Sequence, residues 1–394
     1  MAADGAQTPD DTASGGRRSV TRWLWLAAAI GAVGFIAALL AAPALNPEYL
    51  RLGHWSTDWR SALLSPRLDA PHDRVAFVAI NDATLKDYIS SPIDRGLLAR
   101  VVRAVDAAGA KAIGVDVVFL KRTDPDKDDG LVAAIREAKA EVLLGADDER
   151  GRLEPFQREF QTEFIGRTGR TAGYLNLRRQ PDDVVRYTAR PNPGGAYPKS
   201  FARLLAEAGG ATGVSDASRP IPWLLGRDDD MHPFVVLPAQ DLLADPDLGA
   251  QIRNRVVIIG GDFRLRDRHR VPQTVRTGAH MPGAVIHGQI AAGMLEPQRV
   301  VHELDPLWAR AFVAAVALAG IGLGWYLGLG TLVTYLGWGF ATAALVAVDA
   351  FAYRYLHLLL PFSLAALAWV AGITAGRGFR WASTPDTTAK RAST

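Results

Sequence analysis

The chain has 394 residues, 49% of them apolar and 22% charged, with a formal net charge of +3 and no cysteine. That length accommodates two or three folded units and excludes a peptide or a single small module, while the missing cysteines exclude disulfides, thiolate metal sites and cysteine nucleophiles. A mean hydropathy of +0.05 in so charged a chain means that apolar and charged residues are segregated along it.

Residues 1–22 form a short tail whose Asp residues balance Arg17, Arg18 and Arg22. No charged residue follows until after Pro47, which predicts a membrane helix over 23–45. Ala42-Pro43-Ala44 has the small residues of a cleavage site and Arg17-Arg18 echoes a twin-arginine signal. The apolar run Trp23–Leu40 is longer than the roughly 7–15 residues of a signal core, which favours a retained anchor.

The next segment, 48–305, is hydrophilic and close to neutral. Arg74–Asn81 is an almost continuous apolar run and reads as a buried strand. Leu97, Leu98, Val101, Val102 and Val105 have helical spacing within Asp94–Ala108, and Gly109 suits the stop. A strand at Ala112–Phe119, a helix at about Asp129–Lys139 and a strand at Glu141–Gly145 follow. Beyond them the pattern predicts a hairpin of 171–178 with 183–190, a helix at about 197–209, a strand at Arg255–Gly261 and a helix at Gly283–Leu295. Alternating strands and helices imply an extracytoplasmic α/β domain with a largely parallel sheet.

After this domain, Ala311–Val348 and Tyr355–Gly376 again lack Asp, Glu, Lys and Arg. The first window has 38 residues, so one helix would run roughly 57 Å, about twice a hydrocarbon core of ~30 Å. A fold-back near Gly328-Leu329-Gly330 gives helices at 306–327 and 331–349, with a fourth span at 355–376 and a basic tail from Arg377. Positive residues flank the first span on its N-terminal side and the last on its C-terminal side, which places both termini in the cytoplasm of a bacterial inner membrane and 48–305 outside it. Because the basic excess sits in the tail, the footprint of a nucleic-acid binder is missing; the lipid bilayer is the expected partner.

Asp58-Trp59-Arg60, the run from Val75 to Leu85, Ala107–Phe119 and Asp128–Ile135 resemble the second class of CHASE domain, as do Val256–Asp262, Asp267–Pro272 and Met281–Gly288 near the far end. The resemblance covers about 50–300, and one span before with three after is also that family's layout. It implies an extracytoplasmic sensor of the kind found in bacterial cyclases and kinases, whose effector follows the last span. Here eighteen residues follow Gly376, so the expectation is a separate cytoplasmic effector or a subunit of a membrane complex as partner. The family's Trp-Pro-Trp-like element is replaced by Ser91-Pro92-Ile93-Asp94-Arg95, which leaves any aromatic ligand contact there in doubt.

Ligands of open parallel sheets bind beyond the carboxyl ends of the strands. A cleft lined by Asp82, Asp147 and Asp262 is therefore a candidate site, although aspartates there commonly cap helices or make turns. Arg95, Asp116, His269 and His287 complete the candidate ligand contacts; His280 and His302 are read as structural. Asp124–Gly130 imitates a calcium loop, but Ile135 occupies the expected glutamate position, so Asp128 or Asp129 is read as a helix cap. Arg264, Arg266, Arg268 and Arg270 suit either an anion or an exposed neutralised loop.

No hydrolase elbow, zinc-protease, phosphate-loop or dinucleotide motif is present, so no enzyme, metal or cofactor is expected. Gly320, Gly324 and Gly328 recur every four residues and predict close helix packing within the chain or between protomers. Asp349 and Arg354 fall at the expected outer membrane boundary. The expected function is a membrane receptor acting through a cytoplasmic partner; the alternative is a structural or accessory subunit of a membrane assembly.

Overall fold

A computed structural model describes residues 10–41, 51–86, 92–229, 231–264, 266–327 and 332–384. They divide into two compact units, Met1–Thr57 with Glu303–Thr394, and Asp58–His302. Helix α1 (Asp10–Ala41) opens the chain and α2 (Arg51–Leu64) follows.

The second unit is built on six parallel strands: β1 (Val75–Asn81), β2 (Ala112–Asp116), β3 (Glu141–Ala146), β4 (Ala172–Tyr174), β5 (Val235–Pro238) and β6 (Val256–Asp262). Their order in the sheet is β4-β3-β2-β6-β1-β5, so the last strand in sequence lies between the first two. Val75 pairs with Val256, Val256 with Ala112 and Ala112 with Glu141, which brings the carboxyl ends to one edge.

Both sheet faces are covered. Alternate residues Ala76, Val78, Val257 and Ile259 pack under α3 (Arg95–Ala107), α4 (Pro125–Glu137), α5 (Pro155–Thr168) and α7 (Ala239–Ala244). Val75, Phe77, Val256 and Ile258 face α6 (Phe201–Ala208) and α8 (Gly283–Leu295). A strand buried on both faces has no polar alternation, which is why β1 and β6 read as continuous apolar runs. Gly260 admits α8 to β6, since a Cβ there would lie 2.5 Å from that of Ala284.

The expected element boundaries shift at several places. Helix α4 starts at Pro125 with Asp124 as its cap, accepting from the Asp126 and Lys127 N–H groups, instead of near Gly130 with Asp128 or Asp129. Proline at the first helical position loses no helix hydrogen bond, so the acidic run belongs to the helix. Strand β2 ends at Asp116, before Phe119. Ala172–Tyr174 joins the main sheet beside β3, leaving the hairpin as Arg178–Arg179 with Val185–Tyr187. The hairpin is pinned by buried Arg186, whose Nε and Nη2 donate to the two carboxylate oxygens of Asp58 at 2.6 Å each.

In the first unit, α9 (Pro306–Tyr326), α10 (Leu332–Leu356) and α11 (Phe362–Ser383) join α1. The four contain apolar stretches long enough to cross a membrane: Val20–Ala41, Pro306–Tyr326, Leu336–Leu356 and Phe362–Ser383. The last two helices end seven residues later than expected because Pro361 cannot sit inside a helix over 355–376; α11 begins just after it. Asp349 consequently lies within α10, buried, and Arg354 in its last turn.

Arg377 is buried within α11, its guanidinium 5.1 Å from the Trp338 ring and 5.7 Å from that of Trp25. Gly320 and Gly324 face α11: a Cβ on Gly320 would lie 2.8 Å from the Trp369 carbonyl oxygen, and one on Gly324 would overlap the Ile373 carbonyl. Gly372 and Gly376 admit α9 in the same way. Gly328, the fold-back Gly328-Leu329-Gly330 and Ala42-Pro43-Ala44 lie outside the described residues.

Candidate functional site

Strand β2 leads to α4 on one sheet face, whereas its neighbour β6 leads to α8 on the other. Adjacent strands whose chains part in this way leave a crevice at their carboxyl ends, the usual ligand position in such sheets. Two cavities open there, and Asp116 and Asp267 line both.

The first, about 330 Å³, is lined by Asp116, Asp147, Asn176, Asp267, His269 and His287, with Arg179 nearby. Asp116 keeps surface toward the cavity but is enclosed by protein; burial first, and the neighbouring Asp267 second, push its carboxyl well above the usual range. Burial also raises Asp147, although Asn176 Nδ2 donates to it at 2.6 Å. Fully buried Gln161 on α5 fixes the Asp147 backbone, accepting from its N–H and donating to its carbonyl at 2.9 Å each.

His287, in the second turn of α8, sits edge-on to Phe201 at 5.7 Å, and burial pushes its imidazole down to about 4. His269 Nε2 is 3.1 Å from Asp267 Oδ1. Asp267 holds the left-handed region at φ 50°, a conformation rare for a residue with a Cβ, and its carbonyl accepts from Gly283 N–H.

The second cavity, about 430 Å³, is lined by Arg95, Asp116, Lys121, Gln157, Phe263 and Arg266. Arg95 is 1% exposed. Its guanidinium lies 4.5 Å from the Phe119 ring centre and 3.5 Å from Asp128, yet none of its three nitrogens has a hydrogen-bond partner among the described residues. Asp128 is occupied by Thr123, accepting from its N–H at 3.0 Å and its hydroxyl at 2.7 Å.

The expected residues therefore separate. Asp116, Asp147, His269 and His287 share one cavity, and Arg95 joins Asp116 in the other. The cleft of Asp82, Asp147 and Asp262 does not form: β2 and β6 stand between β3 and β1, which puts Asp82 and Asp147 three strand spacings, roughly 14 Å, apart. Asp82 accepts from Arg264 N–H at 3.2 Å, and Asp262 pairs with Arg268 at 2.6 Å. The four arginines do not act together, for Arg266 alone lines the crevice and Arg270 donates to the Asp182 carbonyl.

Among the described residues no group of three or more His, Asp or Glu is arranged to hold a metal ion. Asn176, Asp267 and Gln161 were not among the expected contacts; Gln161 comes from α5, a helix whose polar sequence conceals it.

A family model described as CHASE2 domain matches residues 32–324. Comparison with curated proteins finds no match, and comparison with solved structures finds none.

Proposed function

The chain belongs to the CHASE2 domain family, and from that membership we propose that it is a receptor that binds a small polar ligand in the crevice between β2 and β6 and passes the response through its membrane helices to a cytoplasmic signalling partner. Its family is extracytoplasmic and sensory and its flanking helices are of membrane-spanning length, so the protein is a sensor-like membrane protein. The ligand and the partner belong to the proposal, as does the absence of a catalytic step.

One observation carries the reading. The crevice keeps a carboxyl (Asp116), an imidazole (His287) and a guanidinium (Arg95) out of bulk water, with the first two driven toward their neutral forms. Burying such groups costs stability unless they are satisfied, and folds accept that cost chiefly where something binds. A docking subunit has no use for a polar crevice of this kind, which supports the receptor over the accessory reading.

The test is to purify the tagged full-length chain in gentle detergent from its native host and identify by mass spectrometry both the accompanying proteins and the small molecules released on denaturation. A cyclase, kinase or transcription regulator in stoichiometric amount, with a polar metabolite that Asp147→Ala no longer retains, is the expected result. Recovery of transport or envelope-assembly subunits without such a metabolite would make the chain an accessory subunit.

A further inference from the structure

Helix α2 has its polar residues inside and its apolar ones outside. His54, Thr57, Asp58, Arg60 and Ser61 are each 9% exposed or less, whereas Trp55 is 62% and Leu63 55% exposed, and Trp59 between them is partly exposed. The protein takes up part of the polar side itself, since Asp58 holds Arg186 through two hydrogen bonds of 2.6 Å. Trp55, Trp59 and Leu63 follow one another at intervals of four residues, so they line one side of the helix over about 12 Å. An amphipathic helix bathed in water buries its apolar stripe and exposes its polar one. The reverse arrangement fits a helix whose outward side meets something less polar than water.

The position of α2 identifies that medium. The hydroxyl of Ser56, next to Trp55, lies 2.8 Å from the hydroxyl of Ser363. Ser363 is the second residue of α11, one of the four helices of membrane-spanning length. With one span before the outer domain and three after it, α11 starts on the domain side of the membrane. The hydrogen bond therefore holds Trp55 where a span leaves the hydrocarbon for the headgroups, the depth at which tryptophan is enriched. The domain-side end of α9 shows the same chemistry, for Leu307 and Trp308 in its first turn are both well exposed.

The headgroup layer on each side of a bilayer is only roughly 5–7 Å thick. A stripe of about 12 Å stays within it only when the helix lies along the membrane plane. Among the described residues of α2 no charged side chain is exposed, so the contact needs no charged headgroup.

We propose that α2 is an interfacial helix, lying in the headgroup layer of the outer leaflet with Trp55, Trp59 and Leu63 turned toward the acyl chains. The contact uses none of the polar groups of the β2–β6 crevice and stands whether or not that crevice binds anything.

The cysteine-free chain allows a test with one nitroxide label at Leu63→Cys, the end of the stripe farthest along the helix from Ser56, in the full-length protein in phosphatidylcholine nanodiscs. Asp126→Cys, exposed at the start of α4, is the control. At Leu63 relaxation by oxygen, which concentrates in lipid, should exceed relaxation by a water-soluble neutral nickel chelate severalfold; at Asp126 the chelate should dominate. Should the labelled variant fail to fold, Trp55→Phe keeps an aromatic ring and gives a second reading. The emission that it removes from the wild type should be quenched more by phospholipid brominated near the headgroup end of its acyl chains than by iodide in the water. Dominant access of the nickel chelate or of iodide would leave α2 in water and overturn the proposal. A label shielded from both reagents would overturn it too, and spin–spin broadening that vanishes on dilution with unlabelled chain would then assign the stripe to a second copy.

Discussion

Asp116 and His287 share one cavity wall but respond oppositely to pH. Burial, with Asp267 beside it, raises the carboxyl of Asp116 well above its ordinary 3.8, so above about that pH the folded chain holds this proton more tightly than the unfolded chain does. Stability from this group is therefore lost as pH rises above about 4. Asp116→Asn should leave stability unchanged near pH 3 and become increasingly stabilising relative to the wild type as pH rises above about 4, measured by thermal unfolding of the ligand-free chain.

His287, lowered from 6.5 to about 4, works in reverse. Between those values the unfolded chain binds the proton and the folded chain does not, so acidification costs stability across that window, on the order of 3 kcal/mol in total. His287→Gln should remove this part of the acid dependence. Because Asp116 opposes it over the same range, the difference between variant and wild type, followed by denaturant unfolding from pH 7 to pH 4, isolates the histidine.

Among the elements, the glycine face of α9 makes a sharp comparison. A Cβ on Gly324 would overlap the Ile373 carbonyl of α11, whereas one on Gly322 of the same helix would meet nothing within 4 Å among the described residues. Gly324→Val should destabilise the helical unit by about 1–3 kcal/mol and Gly322→Ala should not, as read by unfolding in detergent.

The same scale explains what the sequence disclosed. Strands β1 and β6 and helix α8 were readable because each is a long apolar run bounded by polar residues. Helix α5 was not, since Phe160, Phe164 and Ile165 are its buried apolar residues amid Gln, Arg and Glu; its best local sign is Pro155 following Glu154, with Gln157 closing a capping box. Strand β5 has four residues and ends in a proline. The polar candidates were visible one by one, but which of them converge depends on β6 entering between β1 and β2, and no local pattern encodes that.

For the molecule as a whole, the family and the four spans imply a topology that single cysteines can read, because the chain has none of its own. Asp126→Cys, exposed at the start of α4, should react with an impermeant maleimide on intact cells. Ser383→Cys, exposed at the end of α11, should react only after the inner membrane is opened. Labelling of both from outside would contradict a cytoplasmic C-terminus.

The insertion of β6 also dictates when the outer domain can fold during synthesis. Until Val256–Asp262 has emerged, β1 and β2 have no strand between them, and the inner edges of both stay open. Chains whose pairings are this distant in sequence fold slowly and expose adhesive edges while they wait. Since α8 and then α9 follow within a short stretch, the sheet closes only as the second span is being delivered to the membrane. A ribosome that stops after Pro238 therefore leaves an unpaired half-sheet outside the cell membrane, a substrate for envelope proteases and chaperones, and no truncated form of the domain can serve as a weaker sensor.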